Sequence, residues 1–113
     1  MPHLIIEYSK QIEDKVEVTA VMEKVFQGAV AANLFAEKDI KVRAHAYQQH
    51  MNGAGFNGFI HVSSRILSGR NTEQKTQLTQ AVLNELKTLD LEDLSITVEV
   101  LDIDRDSYAK HIG

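Results

Sequence analysis

The chain contains no cysteine, which excludes a disulfide framework, a thiolate nucleophile and any zinc site built on thiolates. No apolar run approaches the roughly 20 residues that a membrane-spanning helix needs, and the first residues lack the basic stretch followed by an apolar stretch that marks a secretory leader. The expected compartment is therefore the cytoplasm. Positive charge is also scarce: 12 Lys and Arg against 16 Asp and Glu give a formal charge of -4. No segment gathers enough cations to track nucleic-acid phosphates, so neither a nucleic-acid nor a membrane partner is expected. A small anionic ligand stays open, because a few nearby cations set the field of a pocket. Proline occurs once, at position 2.

What is present describes one ordinary domain. A chain of 113 residues, 43% apolar and 25% charged, is long enough for a single core and has the composition of a globular protein. His3 to Tyr8 is short, rich in Leu and Ile and closed by polar residues, which predicts a buried strand with Pro2 at its start. From Val18, the residues Val21, Met22, Val25, Phe26, Ala29, Val30 and Leu34 follow the i, i+3, i+4, i+7 spacing of one helical face. From Ile40 the period changes to two, with Lys41, Arg43, His45 and Tyr47 on one face of a second strand.

Met51 to Gly58, with three glycines and two asparagines, is turn chemistry between two halves. Gly58 to Leu67 predicts a third strand. Asn71 with Gln74 three residues later predicts a helix start, continued by Leu78, Val82 and Leu86. Leu94 to Leu101 alternates as a fourth strand, and the polar tail from Asp102 to Gly113 is expected to dock on a neighbour. The order strand, helix, strand occurs twice, in pseudo-repeat halves 2–50 and 58–104. Two right-handed βαβ units of this kind build an α/β (α+β) fold, a four-stranded sheet with both helices on one face. The other face needs a cover, for which partner subunits are the natural candidate.

The most specific string is Gly69-Arg70-Asn71-Thr72-Glu73-Gln74-Lys75, which follows a strand and opens a helix. It resembles the Gly-Arg-Ser/Thr-x-Glu-Gln-Lys segment of the tautomerase superfamily. Within that superfamily the chain resembles the 5-carboxymethyl-2-hydroxymuconate isomerase family over most of its length. Pro2-His3-Leu4-Ile5-Ile6-Glu7 is similar to that family's opening, Ile40-Lys41-Val42-Arg43-Ala44-His45 to its Ile-Arg-x-Arg-x-His strand, and Phe59-Ile60-His61-Val62 to its Phe-Val-His segment.

The resemblance implies a homotrimer and a cofactor-free keto-enol isomerisation of a small dicarboxylate or tricarboxylate, with Pro2, exposed once Met1 is removed, as general base. It also implies substrate binding by Arg70, Arg43 and Lys41, the last standing where the family has arginine. Lysine keeps the charge but loses the planar fork that grips a carboxylate at two points. Independently of the resemblance, an α-amino group, with an ordinary pKa of about 8, is nearer neutrality than a lysine amine, and burial beside cations lowers it further. An arginine beside a helix start is poorly placed unless an anion is bound there.

Without the resemblance, Lys41 and Arg43 read as a solvated strand face or a row of intersubunit salt bridges. His45 and His61 lack metal-ligand spacing, so no metal is expected and a hydrogen-bonded role is favoured. Tyr47, Phe56 and Phe59 are candidates for a pocket wall, core or interface. Alternative functions are another proline-dependent reaction, such as phenylpyruvate tautomerisation or a hydratase-type dehalogenation, and a non-catalytic trimeric binding or signalling role.

Overall fold

The computed structural model describes residues Met1–Gly113. Four strands form one mixed sheet in the order β2-β1-β3-β4, where β1 is His3–Ser9, β2 Lys41–Tyr47, β3 Gly58–Leu67 and β4 Leu94–Ile103. Helix α1, Val18–Ala31, connects the parallel pair β1 and β2, and helix α2, Thr72–Lys87, connects the parallel pair β3 and β4. The halves join through the antiparallel pairing of β1 with β3 at the centre of the sheet. The doubled βαβ order and the four-stranded sheet expected from periodicity are both present.

Strand alternation sorts the side chains. Leu4 and Ile6 of β1 and Ile60, Val62 and Ile66 of β3 point to the helices and are essentially inaccessible to solvent. They meet Val21, Val25 and Ala29 of α1 and Leu78, Val82 and Leu86 of α2 in one core cluster. Burial of each such aliphatic side chain is worth about 1.5–3 kcal/mol, so this layer dominates the stability of the domain. The residues of opposite parity, including Glu7, Arg43, Tyr47, His61, Arg65 and Glu99, share the other face, which no element of the chain covers.

The polar groups of that open face satisfy one another in part. Tyr47 Oη donates to Glu7 at 2.5 Å, and His61 lies 2.6 Å from Thr97 Oγ1 and 2.5 Å from Glu99 Oε2. The hydrogen-bonded reading of His61 therefore holds.

Element boundaries differ from the periodic reading at three places. α1 ends at Ala31 rather than running to Leu34, because Asn33 takes a left-handed conformation (φ 58°) that stops the helix. β2 begins at Lys41, and β4 continues to Ile103, two residues beyond the alternation, by pairing with the end of β3. The tail has partners within the chain. It folds back on its own chain, where Tyr108 Oη is 2.9 Å from His3 Nε2 and Arg105 donates through Nε and Nη2 to the Ser68 carbonyl at 3.2 and 2.9 Å. Those bonds bridge positions far apart in sequence, which local patterning does not register.

The helices touch most closely at Gly28. A Cβ there would stand 2.6 Å from Val82 Cα and 3.0 Å from the Ala81 carbonyl oxygen, both backbone atoms of α2. Glycine here permits close helix packing at the cost of helix propensity. Gly28→Ala recovers about 1 kcal/mol of propensity but overpacks the contact by up to about 3 kcal/mol. The expected outcome is a net loss of roughly 1–2 kcal/mol, read as a lower urea midpoint at unchanged slope; equal or greater stability would show that the helices separate freely.

Candidate active site

Pro2 is buried at the head of β1, and its carbonyl accepts the Lys41 N–H at 3.1 Å, the bond with which the β1–β2 ladder begins. The chain's first residue therefore lies at a sheet end. Two cavities open there, and Met1 lines both. The larger, about 420 Å³, is bounded also by Lys38, Asp39, Lys41, Tyr108, Lys110, His111 and Ile112. The smaller, about 230 Å³, is bounded by Phe35, Ile66, Leu67, Arg70 and Arg105.

Local structure places each cation. Lys41 is the first residue of β2, opposite His3, and its ammonium lies 3.2 Å from the Asp39 carbonyl and 3.8 Å from Met1 Sδ. Arg70 follows Gly69, whose φ of 124° turns the chain out of β3 in a conformation that side-chain-bearing residues rarely adopt. It precedes Asn71, whose side chain accepts the Gln74 N–H at 2.8 Å while Gln74 Oε1 accepts the Asn71 N–H at 3.0 Å. This capping box fixes the start of α2 and so the position of Arg70. The Arg70 guanidinium donates to the Leu34 carbonyl at 2.6 Å and stands 5.6 Å from the centre of the Phe35 ring.

Electrostatics at this end favour a neutral amine. Burial lowers the pKa of the Met1 amino group below its ordinary value of 8.0. Asp39 opposes the shift, while Lys41, Lys110 and Arg70 add to it. His3 is lowered as well, first by burial and then by Arg43, Lys41, the amino terminus and Arg65. In both cases the protonated form loses water and meets like charge.

Pro2, Lys41 and Arg70 thus converge, but Arg43 does not join them within one chain. It lies opposite Ile5, two residues farther along β2 on the open face, with Nη1 at 3.4 Å from His3 Nδ1. Tyr47 and Phe59 are also remote from Pro2. Tyr47 pairs with Ser9 at the far end of β1, roughly 20 Å away at ~3.3 Å per residue. There they form an aromatic group with His45 and His50. Phe56 lines a shallow depression beside His50 and Met51. A polar cleft between Gln11, Lys15, Asn57 and Asp93 lies at this far end too, but its charged groups are used internally: Asp93 accepts two bonds from Asn57, and Lys15 donates to the Glu92 carbonyl.

Sequence reading missed Phe35, Arg105, Tyr108 and Lys110 as residues of the amino-terminal region. Phe35 follows the end of the α1 pattern, and the others belong to a tail with no periodicity. Only the fold brings them to Met1. No helix is long and apolar enough to cross a membrane.

The chain is similar to known proteins over nearly its whole length. Residues 2–111 match the family model of 5-carboxymethyl-2-hydroxymuconate isomerase. The chain is 26% identical over 90 residues to a 5-carboxymethyl-2-hydroxymuconate Delta-isomerase of Escherichia coli, covering 78% of this chain and 71% of the relative. A crystal structure of a 5-carboxymethyl-2-hydroxymuconate delta-isomerase superposes with a TM-score of 0.84 at 17% identity, covering 100% of this chain and 89% of the other. A fused 4-OT described as a symmetric trimer superposes with a TM-score of 0.73 at 20% identity, covering 96% and 93%. At such identities the structural likeness is one of fold, whereas the family model spans nearly every element described above. The chain is an isomerase belonging to the 5-carboxymethyl-2-hydroxymuconate isomerase family, within the tautomerase superfamily.

Proposed function

We propose that the protein isomerises an unsaturated 2-hydroxy or 2-oxo polycarboxylic acid, similar to 5-carboxymethyl-2-hydroxymuconate, using Pro2 as the general base after Met1 is removed. The observation that carries this reading is the position of the chain's first amine between two cavities supplied with Lys41, Lys110 and Arg70, the cations that lower its pKa. While Met1 remains, the Pro2 nitrogen is an amide and has no basicity. Once freed, it is a secondary amine in the same surroundings.

The neutral nitrogen takes the proton of the substrate's enol, or an acidic carbon-bound proton beside its carbonyl, leaving a dienolate. The proton returns to a different carbon of the conjugated system, and the electron pair of the anion forms the new C–H bond. One base serves both transfers, and the balance requires no cofactor. Arg70 and Lys41 hold the substrate's carboxylates and offset the charge of the dienolate. Arg43 acts through His3 or across the open sheet face.

That open face, polar and without cover in one chain, suits burial against further copies. Three copies, as in the fused 4-OT trimer, is the arrangement we favour.

Intact mass is expected to show loss of Met1, and the processed protein is expected to consume a 2-hydroxymuconate-type dienol faster than its spontaneous ketonisation. Pro2→Ala should lower that rate at least ~100-fold without loss of folding, the low end of a general-base contribution; unchanged turnover would remove Pro2 from the chemistry. Arg70→Ala should damage turnover of carboxylate substrates by roughly 10–100-fold and of a neutral analogue much less. Equal losses would dismiss carboxylate binding.

The base must be neutral, so kcat/KM should rise with pH as the freed Pro2 amine loses its proton. Arg70→Ala removes a cation and should move the midpoint of that rise up, whereas Asp39→Asn removes the opposing anion and should move it down. A midpoint indifferent to both substitutions would place the titrating group elsewhere.

A further inference from the structure

Two arginines share the smaller cavity, and neither has a carboxylate partner. Arg70 and Arg105 are each anchored to a backbone carbonyl, those of Leu34 and Ser68, and neither takes part in any ion pair of the chain. Arg105 packs over the turn that carries Arg70, its Nη2 lying 3.7 Å from where a Cβ of Gly69 would stand. The larger cavity is lined by three lysines, Lys38, Lys41 and Lys110, again outside every ion pair, and Asp39 is the one acidic side chain lining either space. A few cations gathered with little counter-charge set a local field that favours an anion, whatever the net charge of the chain.

Met1 lines both cavities, and the same tail supplies one cation to each, Arg105 to the smaller and Lys110 to the larger. That tail is tied down between them by the bond of Tyr108 to His3. Resting on the reading of Pro2 as a freed amine, we infer that loss of Met1 joins the two cavities into one two-lobed cleft, in which Arg105 and Lys110 of the tail bind opposite terminal carboxylates of an extended dicarboxylate. Arg105 completes the Arg70 lobe and Lys110 the Lys41 lobe. The conjugated middle of the ligand then spans Pro2. The C-terminal segment is thus a substrate-binding element that selects for length and for charge at both ends.

The test uses two non-reacting probes that lack the 2-hydroxyl: muconate, with a carboxylate at each end of a diene, and sorbate, in which one carboxylate is a methyl group. Calorimetric titration of Met1-free protein should show tighter binding of muconate. Arg105→Ala and Lys110→Ala should each weaken muconate about tenfold or more, as loss of a charge-assisted contact does. Sorbate fills only one lobe with charge, so one of the two variants should leave its affinity unchanged, which also verifies that the variant is folded. Arg105→Lys should restore part of the muconate affinity.

Equal weakening of both probes by both variants would reduce the tail to a structural prop, and unchanged muconate binding would dismiss its role outright. Wild-type protein that fails to isomerise the dienol yet keeps this discrimination would overturn the proposed substrate while the two-lobed cleft stands. Turnover without discrimination would overturn the cleft alone.

Discussion

The antiparallel pairing of β1 with β3 governs nearly everything else in the molecule. Its register, with His3 opposite Arg65 and Tyr8 opposite Ile60, joins the two βαβ halves and makes Leu4 and Ile6 share a face with Ile60, Val62 and Ser64. A slip of one residue would turn that aliphatic row outward and send Glu7 and His61 into the helical layer. The same register brings the start of β1 beside the end of β3. Pro2 therefore lies near the turn that carries Arg70, even though 67 positions separate them in the chain.

Charge is distributed unevenly around this frame. Away from Met1, three lysines form ion pairs within the chain, Lys10 with Glu13, Lys24 with Glu85 and Lys75 with Asp102. At the amino-terminal end, Lys41, Arg70, Arg105 and Lys110 are held by backbone carbonyls or left facing a cavity. The net charge of -4 thus says little about the site. What matters there is burial, joined by the nearby cations, which lowers the pKa of the Met1 amino group and of His3.

The open face of the sheet has a different character from the core. Its hydroxyl, imidazole and carboxylate groups bond across strands, Tyr47 to Glu7 and His61 to Glu99, so that they are partnered before any other surface approaches. Arg43 belongs to this face rather than to the cavities, and its contact with His3 is its one link to the amino-terminal end. Within a single chain Lys41 and Arg43 share one face of β2, with Lys41 at the end beside Met1 and Arg43 two residues farther along.

The amino-acid order by itself determined the helices, the strands and the family. Val21, Val25 and Ala29 repeat at helical spacing, Lys41 to Tyr47 alternates, and Asn71 and Gln74 form the expected capping box, because periodicity and capping act within a few residues of the chain. The string Gly69 to Lys75 and the residues around Pro2 carried the isomerase family for the same reason. Strand order, the separation of Arg43 from Arg70, and the return of the tail to His3 and Ser68 were decided only by tertiary structure. These depend on register and on contacts between distant residues, such as His3 with Tyr108, which leave no local pattern. The sequence singled out Pro2, Lys41 and Arg70 as candidates; the fold alone brought Arg105 and Lys110 to the same end, because only folding sets the two ends of the chain side by side.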